Sequence, residues 1–95
     1  MSARPPSPAD GPPRLEYPLA YGFTVIGLAA EDFPEHVRRL VARFVEDLPA
    51  EGIRVRASAG GRYLSVSVPV RLTSEEQRLA VYRALREDGR VVFAL

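Results

Sequence analysis

The sequence contains no cysteine, no lysine and no tryptophan, and its only histidine is His36. Without cysteine the chain has no disulfide framework and no thiol chemistry, and a zinc site would lack its most common structural ligand. No apolar run approaches the ~18 residues of a membrane span, and the N-terminus lacks the apolar core of a secretory signal. We therefore expect a cytoplasmic protein that makes no membrane contact and holds no cofactor.

The positive charge comes entirely from arginine. Thirteen arginines and twelve carboxylates leave a formal net charge of +1, a surplus too small to steer polyanions. The arginines are scattered among acids, and only short runs such as Arg54 to Arg56 concentrate them. Composition therefore gives no support to nucleic acid as a partner.

The chain divides into a tail and a domain. Residues 1–14 hold five of the nine prolines together with serine, alanine and glycine, a composition that predicts a disordered tail. The stretch from Arg4 to Pro8 could also serve as a polyproline ligand, although a solvated tail is the simpler interpretation. Residues 15–95 form one domain, which is too small to enclose a large catalytic pocket unless subunits join.

Hydrophobic periodicity predicts four strands and two helices in this domain. In chain order they are a strand at 21–28, a helix at 33–47, hairpin strands at 53–58 and 63–72, a helix that begins at Thr73 or Ser74 and ends at Gly89, and a strand at 90–95. Gly60-Gly61 supplies the positive backbone angles of the hairpin turn. In the last strand we expect Val91, Phe93 and Leu95 to share one face.

Helix starts are marked by capping patterns. Asp32 with Glu35 predicts a capping box for the first helix, and Thr73 with Glu76, or Ser74 with Gln77, predicts one for the second.

The order β-α-β-β-α-β predicts an α+β fold, a ferredoxin-like two-layer sandwich. Both helices are expected on one face of an antiparallel sheet with strand order 4-1-3-2. Strand three is then central, where Pro69 would remove a ladder hydrogen bond. We therefore expect Pro69 beyond the paired region or at a bulge.

No cluster of residues builds a recognisable catalytic site. His36 lies in the first turn of a helix, where we expect it to be exposed, and no base is placed by spacing beside Ser58, Ser65 or Ser67. Gly60-Gly61 joins two strands and opens no helix, so it lacks the dipole of a phosphate-binding loop. The prediction is a protein that is not an enzyme.

The sheet face away from the helices is the candidate for partner contact. By alternation it presents Ile26, Arg54, Arg56, Tyr63, Ser65, Ser67 and Val92. Aromatic residues and arginine are enriched at protein contacts, so this face predicts contact with a protein partner or self-association into a homodimer. The alternative is a wet face with ordinary β-branched residues.

One group of residues carries a family resemblance over about 17–95. The group consists of Tyr17-Pro18, Phe23 to Gly27, Ser58, Gly61, Tyr63, Ser65 to Val68, Leu79, Tyr82, Leu85 and Leu95. Together these residues resemble the YbeD-like proteins, small bacterial proteins of unknown function that are sometimes labelled lipoate regulatory proteins.

The resemblance implies a fold similar to the amino-acid-sensing ACT domains, whose ligands commonly lie near the loop after strand one. It thereby indicates Gly27, Leu28 and Asp32 as a ligand loop, although this loop lacks the Asp-x-Pro-Gly pattern of many ACT ligand loops. It carries no catalytic residue.

Two functions follow from the sequence. The first is a non-catalytic regulatory or adaptor module that acts by protein contact or small-ligand sensing, with a link to lipoate metabolism implied by the resemblance. The alternative is RNA binding, because RNA-recognition domains share this topology and Gly61-Arg62-Tyr63 is similar to their strand-three motif. Only Tyr63 is available to stack a base there, and Ser65 stands where a second aromatic would be.

Overall fold

The fold is taken from a computed structural model that describes residues 15–46, 48 and 51–95. The predicted tail at 1–14 lies outside the described residues. The elements are β1 (Leu19–Leu28), α1 (Phe33–Ala42), β2 (Arg54–Ala57), β3 (Tyr63–Leu72), α2 (Glu75–Glu87) and β4 (Val91–Ala94).

The four strands form one antiparallel sheet in the order β2-β3-β1-β4. Read from the other edge this is the predicted order 4-1-3-2, so the ferredoxin-like sandwich is confirmed. The long central strands pair along their whole length, from Leu19 opposite Leu72 to Leu28 opposite Tyr63. β2 is short, and in the part of the chain that the structure describes it pairs only with β3, from Arg54 opposite Ser67 to Ala57 opposite Leu64.

The core lies between the sheet and the two helices. Alternate residues of the central strands point into it, because successive side chains of a strand point to opposite faces. The fully buried side chains of greatest volume are Phe23, Phe33, Leu72, Leu85, Val25, Val37, Val41, Val66, Val68 and Val81. Both glycines of the hairpin turn have positive φ, 87° at Gly60 and 73° at Gly61, as predicted.

The helix starts differ in how they are capped. Ser74 Oγ accepts from the N–H of Gln77 at 3.1 Å, which confirms the second of the two patterns considered for α2. Asp32 occupies the N-cap position of α1, but its side chain accepts no cap hydrogen bond, so the capping box predicted there is wrong.

The helix α1 also ends earlier than predicted, since the sequence pattern places its end at residue 47. The helix ends at Ala42, and Val45 is 2% exposed within the core beyond it. Gln77 Nε2 donates to the Phe44 carbonyl at 2.7 Å and ties this turn to α2.

Register in β4 is shifted by a bulge. Ala94 lies opposite Val25 and Phe93 opposite Ile26, but Val91 lies opposite Gly27, so Val92 is the extra residue. A one-residue shift moves the following side chains to the other face of the sheet. The prediction that Val91, Phe93 and Leu95 share a face is therefore wrong, because Phe93 shares the face of Ile26.

Pro69 lies inside β3, opposite Gly22 and without a bulge in the β1–β3 pair. Thr24 exchanges both its backbone hydrogen bonds with Leu95 on the β4 side, so by alternation Gly22 also points its polar groups away from β3. The nitrogen of Pro69 then points toward β2, whose pairing ends at Ser67. The prediction that Pro69 lies beyond the paired region or at a bulge is therefore wrong for β1 and β3, which pair through Pro69. It is right for β2 and β3, whose pairing ends before Pro69.

Candidate functional site

The open face of the sheet, defined as the face opposite the helices, is built from two rows of side chains that cross all four strand positions. One row is Arg56, Ser65, Ile26 and Phe93, and the next is Arg54, Ser67, Thr24 and Leu95. Each row begins with an arginine on β2, continues with a serine on β3 and a residue of β1, and ends with an apolar side chain on the β4 side. With strands about 4.8 Å apart, each row is about 14 Å long.

The β4 side of the open face is apolar and exposed. Phe93 is 54% exposed and Leu95 58% exposed, and Ile26 lies half-buried beside them. Val92, predicted for this face, lies at the bulge and is 60% exposed. Sequence reasoning missed Phe93 and Leu95 because alternation alone gives no sign of a bulge.

The β2 side of the open face is cationic. All four residues of β2 are exposed, and within the described chain neither Arg54 nor Arg56 forms an ion pair. None of the four strands contains an aspartate or a glutamate, and the segment 52–74 has four arginines and no acid. The positive charge on this side therefore has no neighbouring carboxylate on the same strands.

A shallow groove of about 290 Å³ lies beside these arginines. It is lined in part by Ile26, Arg56, Tyr63 and Ser65. Ser58 also lines it, but its Oγ accepts a hydrogen bond from the N–H of Tyr63 at 3.0 Å. The Ser58 hydroxyl thereby stabilises the hairpin turn, and no side-chain base among the described residues forms a hydrogen bond with it.

The three residues of the predicted ligand loop differ in their surroundings. Gly27 is buried, and the Phe33 ring fills the space that a side chain on Gly27 would need. Leu28 is 60% exposed. Asp32 accepts two hydrogen bonds from Arg90, at 3.0 and 2.8 Å, and these bonds lower the pKa of the Asp32 carboxyl. The chain's own side chains therefore occupy much of this region.

His36 is half-buried, so the prediction of an exposed histidine is wrong. Its Nε2 lies 2.8 Å from Asp88 Oδ2, and its ring stacks on Phe33 with 6.4 Å between the centroids. The other carboxylate oxygen of Asp88 accepts from the N–H of Arg90 at 2.9 Å. His36 thus links α1 to the connection between α2 and β4, on the opposite side of the sheet from Ser65 and Ser67.

A cluster of tyrosines, arginine and glutamate lies where α2 begins. Arg78 donates to both carboxylate oxygens of Glu75, at 2.7 and 2.9 Å, and the Tyr17 hydroxyl donates to Oε1. The Arg78 hydrogen bond, followed by that from Tyr17, lowers the pKa of Glu75 to about 2. Nearby, the hydroxyls of Tyr21 and Tyr82 lie 2.7 Å apart, and burial raises the pKa of Tyr82. Sequence reasoning missed this cluster because Tyr17 and Glu75 are 58 residues apart.

The described residues hold no group of three or more His, Cys, Asp or Glu residues placed to bind a metal ion. Neither described helix has the length and apolar character that crossing a membrane requires.

The fold and this face define a ferredoxin-like α+β domain with an amphipathic open sheet. The solution structure of protein HP0495 from H. pylori has the same fold, with a TM-score of 0.69 at 16% identity over 100% of this chain and 98% of that one.

Sequence comparison gives the family. Residues 12–95 match the family described as a protein of unknown function (DUF493), and the chain belongs to it. A UPF0250 protein of Pseudomonas paraeruginosa is 40% identical over 90 residues, covering 94% of this chain and 97% of the relative. A UPF0250 protein of Ralstonia nicotianae is 42% identical over 77 residues, covering 78% and 79%. The resemblance to a small bacterial family of unknown function is confirmed.

Proposed function

We propose that this protein is a non-catalytic regulatory or adaptor module that contacts another protein through the open face of its sheet. The observation that carries the proposal is the pair of cross-strand rows, which grade from Arg54 and Arg56 to Phe93 and Leu95. Exposed apolar side chains on a surface that also carries arginine are a composition found at many protein contacts.

The exposed apolar side chains give such a contact a favourable free energy. Phe93 and Leu95 each keep more than half of their surface in water, so covering both would contribute about 1 kcal/mol each. The lipoate regulatory label attached to the YbeD-like resemblance makes enzymes of lipoate metabolism the first partners to try. Small-ligand sensing at Gly27, Leu28 and Asp32 has weaker support, because Phe33 and Arg90 fill much of that loop.

RNA binding is the second candidate, and the acid-free cationic side of the face favours it. Tyr63 lies in the same groove as Arg56, which would allow one base to stack beside a cation. The aliphatic side chains of Ile26 and Leu95 favour protein instead. A filter-binding assay at low salt with pooled single strands tests this candidate, and no retention of RNA would remove it.

Site-specific photo-crosslinking in a bacterial cell tests the protein contact. A photoreactive phenylalanine analogue placed at Phe93 should form a discrete protein adduct, whose size separates a second copy from a different partner. The same analogue placed at Arg83, which is exposed on α2, is the matched control and should form no such adduct.

A second substitution ties the adduct to the surface. Leu95→Asp lies in the neighbouring row at an exposed position, so it should weaken the contact and leave the fold intact. If Phe93 gives no adduct, or if Leu95→Asp leaves the adduct at full yield, the open face is not the contact surface.

A further inference from the structure

We infer that the outer edge of β2, which pairs with no second strand among the described residues, accepts an extended segment of another protein as a fifth strand, and that this segment alternates acidic and apolar residues. The inference rests on the proposed function only in that the module works by contacting proteins. It concerns the opposite edge of the sheet from Phe93, so the two can fail separately.

The backbone of β2 directs half of its polar groups outward. The N–H of Ser58 donates to the Tyr63 carbonyl at 2.9 Å, so by alternation Arg54 and Arg56 also bond to β3. The N–H and C=O groups of Val55, and likewise those of Ala57, then point away from the sheet. An edge of this kind is a template for another strand.

The side chains of β2 set the chemistry of that strand. Arg54 and Arg56 lie on the open face, while Val55, opposite Val66, lies on the helix-side face and is 49% exposed. A strand that bonds to the backbone of Val55 therefore places one residue beside Val55 and the two flanking residues beside the arginines. The matching sequence is acid, apolar, acid.

Charge complementarity favours acids at the flanking positions. Opposite charges on facing residues of two strands stabilise the pair, and like charges destabilise it. The arginines are available, because within the described part of the chain Arg54 and Arg56 form no ion pair. The positions that flank the bonded pair are also those where facing side chains come closest in an antiparallel pair.

A second copy of this chain does not meet the requirement. Two β2 strands paired antiparallel around Val55 would bring Arg54 of one against Arg56 of the other, which is repulsive. None of the strands β1 to β4 contains a carboxylate that could replace them. The strands of a second copy therefore offer no acidic partner, and we assign the segment to a different protein.

Peptide titration followed by amide NMR tests the inference on the full chain. The probe is Ser-Glu-Val-Glu-Val-Glu-Ser, and its matched control, Ser-Glu-Glu-Glu-Val-Val-Ser, has the same charge and composition without the alternation. At roughly millimolar concentration the probe should shift the amide signals of Val55 and Ala57 and slow their hydrogen exchange, because these N–H groups gain partners. The control should bind about fivefold or more weakly.

Two variants separate the roles of charge and backbone. Arg54→Glu with Arg56→Glu should abolish binding of the probe and create binding of the peptide with lysine in place of glutamate. Val55→Pro keeps both arginines and every hydrogen bond to β3 but removes an outward N–H, so it should also abolish strand addition.

Several results would overturn the inference. These are equal binding of the probe and the control peptide, shifts that centre on Phe93, no shifts at millimolar probe, or single-stranded RNA displacing the probe from the same amides. If the photoreactive analogue at Phe93 forms no adduct while the probe peptide still binds, the proposed function is contradicted and this inference stands.

Discussion

Both faces of the sheet carry large apolar side chains, but these side chains are buried on one face and exposed on the other. On the helix-covered face Phe23 and Val25 are completely buried and form the centre of the core. On the open face Phe93 and Leu95, only one strand away, remain more than half exposed. Because side chains alternate along β1, residues of the core and residues of the open face follow one another along a single strand.

Charge divides the two layers in the same way. In the helical layer Glu35 pairs with Arg38 at 2.6 Å, Glu75 with Arg78 at 2.7 Å, and Asp32 with Arg90 at 2.8 Å. On the open face Arg54 and Arg56 have no such partner among the described residues. These three ion pairs lie on the helix side of the sheet, and the open face has no ion pair of this kind among the described residues.

The largest difference should come from deleting a phenylalanine ring on each face. Phe23→Ala leaves a cavity in the core and should lower the free energy of unfolding by about 3–5 kcal/mol. Phe93→Ala removes a ring that is 54% exposed and should lower it by about 1 kcal/mol or less. Urea denaturation of both variants measures the contrast. Equal losses would mean that the ring at Phe93 is part of the core.

Two glycines of β1 offer a smaller and more local contrast. A methyl group on Gly27 would collide with the Phe33 ring and lie 2.5 Å from the Arg90 carbonyl oxygen, whereas one on Gly22 would meet nothing within 4 Å. Gly27→Ala should therefore lower the free energy of unfolding by about 1–3 kcal/mol, and Gly22→Ala should change it little.

A double variant checks the cause. Adding Phe33→Leu to Gly27→Ala should cost less than the sum of the single substitutions, because the smaller side chain clears part of the space. Strict additivity in the urea midpoints would show that the Phe33 ring is not what requires glycine at this position.

The same glycine shows how far sequence reasoning reaches. Alternation and capping patterns predict the element order and the sheet order, and they place Ile26, Arg54 and Arg56 on one face. They do not predict the bulge at Val92, because the close approach of the Arg90 backbone to Gly27 is a contact between strands distant in sequence. The open face therefore gains Phe93 and Leu95, which alternation assigns to the core.

The smallest expected effect on the free energy of unfolding comes from the ion pairs of the helical layer, and it is confined to low pH. The Arg78 and Tyr17 hydrogen bonds hold the pKa of Glu75 at about 2 in the folded protein, against an ordinary value of 4.5. Because the folded pKa is the lower one, this stabilisation is complete above about pH 4.5 and is lost as the pH falls to about 2. Glu75→Gln should therefore flatten the fall in the free energy of unfolding across that window, measured by urea titration at successive pH values.

Two control variants tie this acid response to one face. Glu76→Gln changes the neighbouring exposed carboxylate, which makes no side-chain hydrogen bond within the described residues, and Arg56→Gln changes a cation of the open face. Both should follow the wild-type curve between pH 4.5 and 2, since neither touches the Glu75 to Arg78 pair. If Arg56→Gln flattened the curve as Glu75→Gln does, Arg56 would have an acidic partner in the folded chain. The cationic side of the open face would then be satisfied internally, and the β2 edge would lose the charge that selects an acidic strand.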